Sequence, residues 1–187
     1  NDVLIYTASI TPVASDAIPA DNSFTLNQTV VSSFDPNEIR CLQGAVVPVT
    51  EIGKYLHYVV NFENTGNFVA ENVVVKVDID PTKYDISTLQ MLNTSHPSYT
   101  KITGNKVEFI FENINLSATS GNPPVGGHGN VLFKIKSKST LVSGNTVAKQ
   151  ANIYFDYNAP VNTNITQTTF GALNNTIHQF DTSVKIY

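Results

Sequence analysis

The chain has 187 residues, of which 14% are charged, a formal net charge of −4 and a single cysteine. That length suffices for one large or two small domains with adequate cores, while a net negative charge and scattered lysines offer no basic field to a nucleic acid backbone. The lone Cys41 excludes an internal disulfide and a cysteine-based metal site within the chain, and no apolar run approaches the roughly eighteen residues of a membrane-spanning helix.

Asn, Thr, Ser and Val are abundant and straight-chain helix formers are scarce, which predicts an almost all-β protein. Val3 to Pro12 and Ser23 to Val31 read as the two strands of a hairpin joined by a breaker-rich loop, Ala14 to Asn22. An isolated hairpin is marginal in water, so this one is expected to close a preceding domain, with Asn1 falling mid-domain. Ser32 to Glu38 breaks the pattern around Asp35-Pro36-Asn37 and reads as a domain junction. In Gly53 to Gly66 (GKYLHYVVNFENTG), Leu56, Tyr58, Val60 and Phe62 share one face of a period-2 pattern, as a packed core strand requires.

Ala70 to Asp80 places Val73, Val75 and Val77 on one face and ends at Pro81. Thr82 to Ser98 has apolar anchors without a clean period, and reads as a short turn, with one helical turn over Ile86 to Leu89, before a further strand. Tyr99 to Ile102 and Lys106 to Glu112 form a hairpin about Thr103-Gly-Asn105, with Val107, Phe109 and Phe111 facing one way. After the loop around Gly121 to Gly127, strands are predicted at Asn130 to Ser137, Thr146 to Asp156 and Val161 to Phe170; Gly171 to Tyr187 reads as a tail. From Gly53 to Phe170 this makes about seven strands at the turn spacing of an antiparallel β-sandwich.

The linked motifs FDPNEI (34–39), GKYLHYVVNFENTG (53–66), ENVVVKVDID (71–80), TGNKVEFIFENINL (103–116), HGNVLFKIKSKS (128–139) and ANIYFDYNAPVNTN (151–164) closely resemble a module of exported Bacteroidetes proteins. This is the Ig-like "conserved repeat" family in its flavobacterial form, found near protein C-termini. The resemblance implies three parts: residues 1–32 as the closing hairpin of a preceding Ig-like module, 33–170 as an Ig-like β-sandwich, and 171–187 as a linker. In that family the module commonly precedes a type A sorting domain of the type 9 secretion system, which opens with Tyr-Pro-Asn-Pro. Val184-Lys-Ile-Tyr187 resembles the lead-in to that motif. The function implied by the resemblance is that of a non-catalytic spacer or adhesion module, extracellular or on the outer cell surface, whose export partner is the outer-membrane translocon of that system.

Candidate chemistry is sparse. Asp16, Asp21, Asn22, Asp35 and Asn37, with Glu38, cluster about the predicted junction, where oxygen ligands can hold Ca²⁺ between β-modules; the competing reading is turn formation and capping. Asp156 and Asn158 carry the same two readings. The four histidines lack paired-ligand spacing, and no G-x-S-x-G nucleophile motif occurs. Lys54, Lys134 or Lys149 can form an intramolecular isopeptide bond with Asn152 or Asp156 only if buried beside a further carboxyl group; otherwise they are solvated on strand faces. Tyr55, Tyr99, Tyr157 and Phe68 fall outside the predicted core, so the alternative function is a glycan-binding accessory module of a secreted polysaccharide-degrading enzyme.

Overall fold

The computed structural model describes residues 2–11, 22–30, 36–120 and 125–172, and the chain divides into two units, 1–35 and 36–187. Within the first, β1 (Asp2–Ser9) and β2 (Ser23–Val30) pair antiparallel, Tyr6 opposite Leu26 and Ala8 opposite Phe24. Directly opposed residues share a face, so Tyr6, Ala8, Phe24 and Leu26 gather on one side and Thr7, Ser9, Ser23 and Thr25 on the other. Tyr6, Phe24 and Leu26 are exposed. The hairpin loop before Asn22, Ser32 to Asp35 of the junction, residues 121–124 and the tail from 173 onward lie outside the described residues.

The second unit is a sandwich of two antiparallel sheets with a small mixed sheet beside them. Its elements in order are β3 (Ile39–Cys41), β4 (Val46–Val47), a 3₁₀ turn (Val49–Glu51), β5 (Tyr55–Glu63), β6 (Val73–Asp78) and β7 (Tyr84–Thr94). Next come β8 (Tyr99–Thr103), β9 (Lys106–Phe111), β10 (His128–Ser137), β11 (Thr146–Lys149), β12 (Ala151–Phe155), β13 (Val161–Asn162) and β14 (Thr166–Phe170). One layer is ordered β3-β5-β10-β7, the other β13-β12-β6-β9-β8, and a small sheet β11-β14-β4 completes the unit.

The alternation read from the sequence sets the core. Leu56, Tyr58, Val60 and Phe62 of β5 and Val131, Phe133 and Ile135 of β10 are buried, as are Val73, Val75 and Val77 of β6 and Val107, Phe109 and Phe111 of β9. Aromatic rings close the gap between layers: Phe62 meets Phe111 edge-on at 5.1 Å, and Phe109 lies 5.1 Å from Phe133. Phe62 is seated over Gly129, its partner on β10; a Cβ on that glycine would lie 2.2 Å from the ring. The glycine is therefore a space requirement.

Two predicted strands are each divided. Thr146 to Asp156 breaks at Gln150 into β11 and β12, and Val161 to Phe170 breaks into β13 and β14, so the pair leaves one sheet and enters another together. The side-chain phase survives the break: Val147, Lys149, Ala151, Ile153 and Phe155 are all buried. Where the backbones part, side chains take over the pairing. Thr163 Oγ1 accepts the Ala151 amide at 2.9 Å, and the Asn164 amide side chain both accepts from Ile39 N and donates to Ile39 O.

The helical turn expected over Ile86 to Leu89 is absent; these residues belong to β7. The pairing of β7 with β10 slips there: Gln90 faces Lys134 while Asp85 faces Lys136, so the four residues Ile86 to Leu89 stand against the single Ile135. A bulge of that size destroys the period-2 signal without ending the strand. Thr88 repairs the ladder, its hydroxyl donating to Asp85 O and accepting from Lys136 N.

The first and last segments of this unit run side by side in the same direction. Ile39 N donates to Asn164 Oδ1, Cys41 N to Thr166 Oγ1, Thr169 N to Ala45 O and Gly171 N to Val47 O, and β4 pairs parallel with β14. The chain therefore enters at one end of the sandwich and leaves at the other.

Substituting Gly129→Ala should cost about 1–3 kcal/mol by overpacking against Phe62, seen as a lower urea midpoint at unchanged slope; an unchanged midpoint would mean the ring moves aside freely.

Candidate functional site

The turn after β12 organises one end of the second unit. Asp156 holds a left-handed backbone (φ 52°), and its carboxylate accepts the Asn72 amide at 2.7 Å and the Glu71 amide at 3.2 Å. In return Asp156 N donates to Asn72 O. Asn72 Oδ1 then accepts from Asn113 N at 3.0 Å, and Asn113 is also left-handed (φ 53°). Three segments, before β6, after β9 and after β12, are thus fixed to one another through Asn72 and Asp156. The turn reading of Asp156 and Asn158 describes these contacts: Asn158 Nδ2 donates to Phe155 O at 2.9 Å.

Two grooves flank this turn. One, of about 250 Å³, is lined by Asn64, Gly66, Phe68, Ala70 and Asn158. The other, of about 360 Å³, has Val74 and Ile110 as its floor and Asn72, Glu112 and Asn113 around its rim, with Tyr157 beside them. Each carries an exposed ring: Phe68 is 81% exposed and Tyr157 wholly so. The larger groove opens on the outward face of the five-stranded sheet. There Tyr154 opposes Val74, Val74 opposes Ile110 and Ile110 opposes Tyr99, an apolar row crossing four strands. Beside it runs a polar row, Asn152, Lys76, Glu108 and Lys101, in which Lys76 and Glu108 approach to 4.0 Å. Tyr99 donates its hydroxyl to Glu112 Oε1 at 2.6 Å, and this bond holds the phenol above its ordinary range.

Of the four rings left outside the predicted core, Phe68, Tyr99 and Tyr157 are exposed. Tyr55 is engaged instead: Lys134 Nζ lies 4.5 Å and Lys136 Nζ 5.1 Å from its ring centroid, and its hydroxyl accepts from Gln90. His57 packs on a half-buried sheet face, Gln43 Nε2 donating to its Nδ1 at 2.7 Å. Among the residues considered for calcium, Asp16, Asp21 and Asp35 lie outside the described residues. The backbone O of Asn22 accepts from Ile10 N within the first unit, and Asn37 is buried in the second, its Oδ1 accepting from Glu63 N at 3.1 Å.

The lysines divide sharply. Lys54 is a surface partner of Glu51, but Lys149 is buried, its Nζ makes no hydrogen bond, and it sits 3.4 Å from the centroid of the Tyr84 ring. The solvated reading thus fails for Lys149. The signal was present in its phase, since it occupies a core position between Val147 and Ala151. Burial lowers its ammonium to about 7, with the negative charges of Asp80 and Asp78 opposing the shift. Tyr84 in turn shares a buried 2.8 Å hydrogen bond with Tyr58, hydroxyl to hydroxyl. A cleft of about 270 Å³ lined by Asp78, Gln150, Asn152 and Ile165 lies beside Lys149, at the point where the strands change sheets.

Residues 35–169 match the family described as "Domain of unknown function (DUF7619)". Among solved structures, the N-terminal domain of a Streptococcus gordonii adhesin is 14% identical with a TM-score of 0.50, over 81% of this chain and 39% of that one. The major pilin subunit of Bacillus cereus is 11% identical with a TM-score of 0.48, over 89% and 48%. The collagen-binding domain of a Staphylococcus aureus adhesin is 11% identical with a TM-score of 0.44, over 75% and 100%. The chain thus spans less than half the length of two of these three proteins. No curated protein matches it at a significant level. The shared feature is the all-β, Ig-like sandwich.

Lys149 predicts a pH dependence of stability. Between about 7 and its ordinary value of 10.5 the unfolded chain holds a proton that the folded chain lacks, so stability from this group rises with pH across that window and is lowest below it. Lys149→Met should remove that rise and stabilise the protein at pH 6 by about 1–4 kcal/mol. Urea melts of both proteins at pH 6 and pH 9.5 check this; equal pH slopes would refute it.

Proposed function

We propose, from the premise that the chain belongs to the DUF7619 family, that its second unit is a non-catalytic Ig-like spacer and adhesion module at the C-terminal end of a surface or secreted protein. The observation carrying this reading is the parallel course of residues 39–47 beside 164–171, which sends the chain in at one end of the sandwich and out at the other. That is the connection a string of modules needs. The carboxylates at the groove rim support a structural use of their charge: Asp156 accepts two backbone N–H groups and Glu112 a tyrosine hydroxyl.

The first unit fits this reading as the closing hairpin of a preceding Ig-like module. Its apolar face of Tyr6, Phe24 and Leu26 is what one layer of a sandwich presents to the other. The motif set spread over residues 34–164 supports export by the type 9 secretion system, with its outer-membrane translocon as the transient partner and residues 171–187 as the linker to a sorting domain. Calcium belongs to the same reading, with Asp16, Asp21, Asn22, Asp35 and Asn37 as its proposed oxygen ligands.

An antibody against this chain, applied to intact cells making the full-length protein, should label their surface or be captured by secreted protein, and the signal should vanish when the translocon is deleted. Labelling only after lysis would overturn the export reading. Calcium should raise the melting temperature of the intact chain by several degrees and a chelator should reverse it; an unchanged midpoint removes the junction site.

A further inference from the structure

We infer that the groove between Tyr157 and Glu112 binds a neutral saccharide, an inference that rests on the adhesive reading above and gives it a ligand class. The lining selects by charge first. It contributes two carboxylates, Glu112 and Asp156, and no cation, so phosphate, sulfate and uronate groups are repelled. A pyranose presents a face of C–H bonds and a rim of hydroxyls. Tyr157 offers the matching surface, an exposed ring whose π face is electronegative. Val74 and Ile110 supply an apolar floor. Glu112 Oε2 and the Asn113 side-chain amide supply an acceptor and a donor–acceptor pair for hydroxyls, Glu112 being oriented by Tyr99.

The site is also preorganised. The backbone at Tyr157 comes directly after a left-handed residue whose carboxylate is bonded to two amides, and the next residue, Asn158, bonds back to Phe155. Presenting the ring therefore requires no ordering of a loose loop. Length fits an oligosaccharide: the apolar row from Tyr154 through Val74 and Ile110 to Tyr99 crosses three inter-strand steps, roughly 14 Å at about 4.8 Å each. A peptide is disfavoured because extended peptides gain affinity by pairing with a sheet edge, and this groove lies on a sheet face where the backbone groups already pair with each other.

The test is affinity electrophoresis of the intact chain in gels containing hydroxyethylcellulose, xylan, galactomannan or laminarin, with Tyr157→Ala and Glu112→Gln alongside. At least one polymer should retard the protein. Tyr157→Ala should weaken that retardation about tenfold or more and Glu112→Gln by a smaller factor, with both melting temperatures unchanged. Migration unaffected by every polymer, or equal retardation of Tyr157→Ala, would overturn the inference. Silent gels beside surface-labelled cells would remove the ligand and leave the module's location standing.

Discussion

The seat of Phe62 over Gly129 is the contact on which the sandwich turns. A phenylalanine near the end of β5 can lie across its neighbour strand this closely only where that strand has no side chain, and Gly129 provides the gap. From there the ring reaches Phe111 and Phe155 of the opposite layer. Burial of such rings dominates core energetics. It also fixes register, because a one-residue slip of β10 would put Asn130 beneath Phe62 and turn Val131, Phe133 and Ile135 outward. The same contact locks the end of the unit at which the Asp156 turn sits, since Phe155 immediately precedes that turn.

Where alternation is intact, the sequence is sufficient to place strands and assign their faces: β5, β6, β9 and β10 each bury the residues their period selects. It fails where backbone pairing and side-chain phase part company. The strand around Gln150 keeps its phase while exchanging one sheet for another, and periodicity has no term for which neighbour a strand pairs with. Ile86 to Leu89 show the converse, a continuous strand with its phase erased by extra residues. Lys149 escapes for a third reason: its residue type points to solvent, although its phase marks it as internal. Of the site, the exposed rings at Phe68, Tyr99 and Tyr157 are legible because they fall outside the core pattern. The convergence of Asn72, Asn113 and Asp156 is not, because it joins residues far apart in sequence through side-chain bonds to backbone.

That convergence gives the grooves their character. Two polar side chains, Asn72 and Asp156, do for three loop segments what a hydrogen-bond ladder does for strands, and each is committed to backbone groups. The rings beside them, Phe68 and Tyr157, are uncovered. A bonded set of loops and an open surface thus lie side by side at this end.

The parallel course of residues 39–47 and 164–171 also determines how the module bears load. Tension applied between residue 36 and residue 171 pulls the two segments lengthwise past one another, so the bonds from Ile39, Cys41, Thr169 and Gly171 are strained in shear and share the force together. Had the terminal strands been antiparallel neighbours, the same pull would open them like a zipper, one bond at a time. Rupture in shear requires several bonds to fail at once, which slows forced unfolding through its rate rather than through equilibrium stability. Two short strands and the Asn164 side chain thus place the bonds that resist such a pull in parallel with one another.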